Sequence, residues 1–250
     1  GYAAIAIGDA ATATKKGSTA IGSQSVSTDV YSTALGREAK ALEKNTVAVG
    51  YSTTASGDSS VAIGDGSKAN GVNSIAIGTG NIVNGDNSGA FGDPNIISGT
   101  GSYAVGNNNN IANNNTFVLG NNVGTTQDNS VVLGHLSTDR AATTETGITI
   151  NGTNYSYAGQ GSATNGVMSV GFVGGERQII NVAAGEVSAT STDAINGSQL
   201  HATNEAISDI DFPIRSSNVQ PYTTSVTGTN ALAVGSNAIA NGDRSTSVGE

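Results

Sequence analysis

The stretch SVAIGDGSKANGVNSIAIG, residues 60–78, opens and closes on nearly the same phrase: SVAIG at Ser60–Gly64 returns as SIAIG at Ser74–Gly78. The closing glycine falls every fourteen residues, at Gly8, Gly22, Gly36, Gly50, Gly64, Gly78, Gly92, Gly106, Gly120 and Gly134, and the phase returns at Gly235 and Gly249. Two places before it stands alanine from Ala6 to Ala104, then Val118 and Val132. Four places before it stands Ser or Thr, with Ala4 and Ala231 as exceptions. Ten copies without an insertion mark a repeat architecture in which each unit buries itself against the next.

Composition points the same way. With 4% aromatic residues, 12% charged residues and Gly 35 in 250 residues, the chain has too few large apolar side chains for an ordinary globular core. Disorder does not keep a strict apolar register. Cysteine is absent, which removes disulfides and thiolate metal sites. A net charge of -9 argues against nucleic acid as a partner, because phosphate binding needs clustered Lys and Arg. No segment reaches the roughly 18 apolar residues of a membrane span. The chain begins at Gly1 without a signal segment and reads as an excerpt of a longer protein, with any membrane anchor elsewhere.

Within SIAIG, Ser74 and Ala76 point to one side and Ile75 and Ile77 to the other, the period of a strand. A second strand follows each glycine, carried by pairs such as Thr53/Ala55, Ser67/Ala69 and Ala238/Ala240. Glycine marks the second corner at Gly57, Gly71, Gly85, Gly99 and Gly242, where a positive φ is expected. Two strands and two corners make one coil of a parallel β-roll. Stacked at about 4.8 Å per coil, ten coils form a rod on the order of 50 Å long.

The Ser/Ala face is uniformly small, so it lines the narrow lumen. The opposite face points out and is apolar at Ile7, Ile21, Leu35, Val49, Ile63, Ile77, Phe91, Val105, Leu119 and Leu133, then again at Val234 and Val248. Stacking aligns these residues into a stripe larger than a soluble monomer usually exposes. At roughly 1.5–3 kcal/mol for each buried side chain, the stripe is expected to drive self-association around a common axis. The register implies assembly but does not fix the number of chains.

The period lapses over 135–166, where Ile148–Ile150 and Tyr155–Tyr157 flank an NGTN turn and suggest a cap on the roll. A helix is expected further on, with a capping box from Thr190 to Asp193 and a coiled-coil seam of Leu200, Thr203, Ile207 and Ile210 ended by Pro213. Gly197 inside that helix is expected to mark a close backbone approach.

The SxAxG coils, followed by ERQIINVAAG and STDAINGSQLHATN, resemble the head and neck of trimeric autotransporter adhesins, the family typified by the Yersinia adhesin. The resemblance implies a left-handed parallel β-roll that is trimeric, a neck in which each chain crosses to its neighbour, and a coiled-coil stalk. It places Arg177, Asn181, Asp193, Asn196 and Gly197 in the neck, and suggests an inter-chain ion pair between Arg177 and Glu176. It also implies display on the outer membrane of a Gram-negative cell and binding to host matrix, host cells or other copies. The expected organisation is a head over 1–134, an irregular cap over 135–166, a neck and short coiled coil over 167–211, and a second head from 212 to 250.

Catalysis has little material. His135 and His201 are far apart, and the serines recur as small lumen residues rather than beside a base. The aspartates near the corners, such as Asp58, Asp86 and Asp243, read as turn residues rather than a calcium ladder, and no cofactor or metal is expected. The asparagine runs 107–110 and 113–115 read as a side-chain amide ladder rather than a recognition surface. The leading expectation is therefore a non-enzymatic adhesin segment that binds by multivalent display, with a spacer of a long surface fibre as the alternative.

Overall fold

The computed structural model describes residues 3–208, 225–234 and 237–249. The chain divides into two compact units, Gly1–Ile179 and Ile180–Glu250. The first is a parallel β-solenoid. The strands that carry the repeated phrase, from Ile5–Ile7 to Val131–Leu133, form one parallel sheet whose strand order follows the chain. Equivalent residues lie side by side, as in Ala62↔Ala76 and Ile63↔Ile77. The second strands, Thr12–Ala13 to Asn109–Ile111, form a parallel sheet of eight.

The small residues line the lumen. Ala20, Ala34, Ala48, Ala62, Ala76, Ala90, Ala104, Val118 and Val132 are buried, as are the Ser and Thr residues two places before them. Ala6, in the first coil described, is exposed. The lumen is less uniform than the SxAxG phrase suggests. From the sixth coil onward the second strand turns Val83, Ile97 and Ile111 inward, beside Asn81, Asn95 and Asn109. The facing strand holds only alanine there, at Ala90 and Ala104, which leaves room for the larger side chains.

The corners correct one expectation. Gly57, Gly71, Gly85 and Gly99 do not have positive φ; the left-handed residue of that corner lies two places later, at Ser59, Asn73, Asn87 and Gly101. Glycine is required for another reason: a Cβ on Gly57 would overlap the carbonyl of Gly71 in the next coil. The strand-closing glycines meet both demands. Gly64 has φ 126, and a Cβ there would overlap the Gly78 carbonyl.

The chain leaves the stack after Asp139 and forms an antiparallel hairpin, Gly147–Ile150 with Thr153–Ser156. Asn151 and Gly152 both have positive φ, at 50 and 80, as a two-residue hairpin turn requires. The solenoid then resumes. Met168–Ser169 adds an eleventh strand to the first sheet, in register with Val131 and Val132. The opening residues of the segment read as neck thus pair with the head sheet.

In the second unit, one helix spans Gly197–Ser208. Two coils of the fourteen-residue phrase recur, with Leu232–Val234 beside Thr246–Val248 and Ser225–Val226 beside Ile239–Ala240. Ile210 and Pro213 lie outside the described residues.

Candidate assembly surface and neck

The outward face of the first sheet is left uncovered by the described residues. Ile7, Leu35, Ile63, Val105 and Leu119 are exposed, and Ile21, Val49, Ile77, Phe91 and Leu133 are partly exposed. The parallel register sets these residues side by side, so the stripe is continuous from coil to coil. The neighbouring outward column is mixed. Tyr103 leans over Gly89, where a Cβ would come within 2.8 Å of its ring. In the second unit Val234 is partly exposed and Val248 exposed.

The coils are tied along the stack by amide ladders. In the lumen, Asn95 Nδ2 donates to Asn81 Oδ1 at 2.9 Å, and Asn109 Nδ2 donates to Asn95 Oδ1 at 2.8 Å. Each second amide hydrogen reaches a glycine carbonyl of the next coil, at Gly106 for Asn95 and Gly120 for Asn109. Buried polar groups are thereby paired, as burial demands. Asn109 of the asparagine run is therefore a lumen residue. Asn107 and Asn114 lie outside and accept backbone N–H bonds from Asp93 and Thr100.

Corner aspartates do the same work. Asp86 accepts from the Val72 amide at 2.8 Å, Asp243 from Thr229, and Asp128 from Asn114. The Asn114 amide holds the Asp128 carboxyl below the usual carboxylate range, helped by the Asn113 side chain. Asp58 is lowered by its hydrogen bond to Lys44, whose Nζ lies 2.8 Å away, and Lys44 is raised in return. Glu38 is lowered first by the Ser52 hydroxyl and then by Arg37. Among the described residues no three His, Cys, Asp or Glu side chains gather as metal ligands would.

Arg177 ends the solenoid. Along most of the stack, the carbonyl one place past the closing glycine accepts the amide fifteen residues on, as when Arg37 accepts from Ser52 and Asn121 from Leu136. His135 occupies that place in the tenth coil, and the chain has departed, so Arg177 Nη2 donates to its carbonyl at 2.8 Å. Arg177 Nη1 donates to the Val170 carbonyl at 2.6 Å and to Ser137 Oγ at 3.0 Å. The pairing with Glu176 is expected between chains; within the chain, Glu176 accepts from the Gly174 amide, which lowers its pKa. An open cavity of about 530 Å³ lies here, between Thr138–Arg140 and Val167–Val173. Two of its charged groups are already engaged, Arg177 on carbonyls and Asp139 on the amides of Thr126 and Gln127.

The helix start also differs from expectation. The cap is Asn196, not Thr190. Gln199 N–H donates to Asn196 Oδ1 at 3.3 Å and Asn196 N–H donates to Gln199 Oε1 at 3.2 Å, a reciprocal capping box. Gly197 is the first helical residue, and a Cβ there would meet nothing within 4 Å of its own chain. Gln199 also clasps the preceding loop, with Nε2 donating to the Gly185 carbonyl at 2.7 Å and Oε1 accepting from its amide at 3.0 Å. Asn196 Nδ2 adds a bond to the Val182 carbonyl. Asp193 accepts from the Glu186 amide, and Asn181 has φ 60. Sequence reasoning missed Gln199, although its Asn-x-x-Gln spacing from Asn196 is the capping-box signal. The helix buries none of its residues, and Leu200 and Ile207 are exposed. His201 lies 3.4 Å from Glu205 on the same surface, while His135 faces Asn122.

Two family models match the chain. One, described as the YadA head domain repeat, matches in overlapping copies over 1–93 and again over 227–249. The other, the coiled stalk of trimeric autotransporter adhesin, matches 178–221. The autotransporter adhesin BtaE of Brucella suis biovar 1 (strain 1330) is 56% identical over 64 residues, which is 26% of this chain and 8% of that protein. The chain thus spans under a tenth of that relative. Among solved structures, the collagen-binding domain of the Yersinia adhesin YadA has a TM-score of 0.40 at 20% identity, covering 79% of this chain and 86% of that one. A C-terminal YadA-like domain from Burkholderia pseudomallei has a TM-score of 0.36 at 35% identity, covering 51% and 50%. Head-repeat and stalk matches in sequence order, over nearly two thirds of the residues, place this chain in the trimeric autotransporter adhesins.

Proposed function

We propose that this chain is a homotrimeric, non-enzymatic adhesin segment whose three copies turn their apolar stripes toward a common axis. The observation that supports it most is the in-register row of exposed side chains from Ile7 to Leu133. Apolar burial is worth about 25 cal/mol per Å², and a row of this length exceeds what association entropy takes away. Cyclic closure satisfies every copy alike and leaves no stripe for open-ended growth. Leu200, Ile207 and Ile210 would form the matching seam of a short coiled coil, and residues 212–250 would begin a second head. Among the described residues no helix is long and apolar enough to cross a membrane. Attachment to the outer membrane would come from another part of the protein.

The assembled rod presents a stiff, repetitive outer surface to host matrix, host cells or other copies of itself. Many modest contacts on one rigid body bind tightly through effective concentration rather than through one deep pocket. Binding of the purified assembly to collagen, fibronectin, laminin and glycan arrays tests this reading. Saturable binding to one of them supports adhesion, and uniform failure points to a spacer within a longer fibre.

A further inference from the structure

We propose that the hairpin Gly147–Ser156 is a docking element for a second copy of this chain, its apolar face packing on a neighbouring protomer. The inference rests on the assembly argued above, but different residues carry it. Val131 and Met168 are direct sheet partners, and residues 135–139 and 164–167 still bond to the stack, so the segment between them, 140–163, is an excursion that the coil stack does not require. Within it, the pairings Ile148↔Tyr155 and Ile150↔Thr153 put those four residues on one face, with Thr149 and Asn154 on the other. Ile148, Ile150, Tyr155 and Tyr157 are 46%, 51%, 52% and 46% exposed.

A two-stranded hairpin alone is marginal in water and needs a packed face. Among the described residues nothing covers the exposed half of this one. A ligand met only on occasion would leave the face bare for most of the protein's life, so the cover has to be present whenever the chain is folded. Another copy meets that condition. Charge agrees: between Glu145 and Glu176 the sequence has no Asp, Glu, Lys, Arg or His, in a chain of net charge -9. Copies can therefore meet here without like-charge repulsion. The excursion also departs within seven residues of Leu133, the last residue of the outward stripe, so the two apolar surfaces lie close in the sequence.

The test places benzoylphenylalanine at Tyr155 in one preparation and at Asn154, on the opposite face, in another. Each assembled protein is irradiated and run under denaturing conditions, with its mass measured beforehand by light scattering. The expected result is strong chain-to-chain cross-linking from position 155 and at least a fivefold weaker yield from position 154. No inter-chain product from 155, or equal yields from both faces, in a preparation of three-chain mass overturns the docking hairpin and leaves the assembly standing. A one-chain mass overturns both.

Discussion

The Nη2 of Arg177 lies 2.8 Å from the His135 carbonyl, filling the place that the next coil's amide holds along the ladder upstream. The guanidinium reaches two carbonyls and a hydroxyl from two nitrogens held in a rigid fork, whereas an ammonium has a single nitrogen that cannot occupy both places. Arg177→Lys is therefore expected to lower stability by about 1–2 kcal/mol, the scale of charged hydrogen bonds lost near a surface. The loss should appear as a lower thermal midpoint and faster amide exchange at Gly134 and Leu136, with the first coils unaffected. Unchanged exchange at those amides would count against the capping role.

The lumen ladder is expected to be far less forgiving than the corner ladders. Asn95→Ala removes the acceptor for Asn109 Nδ2 and the partner of the Gly106 carbonyl, leaving buried polar groups unpaired. Each such group costs about 1–3 kcal/mol. Asn107→Ala, by contrast, exposes the Asp93 amide to water and should cost a few tenths of that. Urea denaturation of the two variants side by side checks the difference.

Two glycines two places apart give an opposed pair. Gly64→Ala places a methyl into the Gly78 carbonyl and is expected to abolish folding of the head. Gly66 has φ 63 with open space around its Cα, so Gly66→Asn should be close to neutral, as asparagine tolerates that conformation. Soluble yield and circular dichroism separate the two outcomes.

The acidic groups set a pH dependence. Asp58, Asp128 and Glu38 all have folded-state pKa values below their ordinary ones. Their contribution is present above the unfolded carboxylate pKa, near 4, and is lost as pH falls through the depressed folded values. Lys44 is raised by Asp58, so its part persists at neutral pH and is lost only as pH rises through its folded value. The thermal midpoint should thus stay level between about pH 5 and 8 and fall below about pH 4. These groups lie at the surface, Glu38 and Asp58 half-buried and Lys44 and Asp128 exposed, so the fall should be modest and should shrink in high salt.

The first sheet was legible almost residue by residue, because a fourteen-residue period with strict alternation leaves one possible register. What escaped was whatever the period does not encode. The corner glycines were credited with positive φ, whereas the crowding that requires them comes from the coil above, a contact invisible in a single repeat. Ile97 and Ile111 were not foreseen in the lumen because the Ser67/Ala69 pairs suggested that only small residues fit. The capping role of Arg177 is not legible in the sequence, since two of the carbonyls it caps lie 7 and 42 residues away. The helix start was misplaced for a simpler reason: Thr190 and Asn196 both offer capping-box spacing, and the loop contacts of Gln199 favour the second.

The central claim is that the exposed stripe meets its equivalents in other copies, and the mass of the purified chain in solution by light scattering tests it most directly. The account predicts three times the chain mass of 24.7 kDa, with Ile63→Asp combined with Ile77→Asp breaking the assembly or its folding. A folded, soluble species of 24.7 kDa, or a double variant that keeps the three-chain mass unchanged, would contradict it.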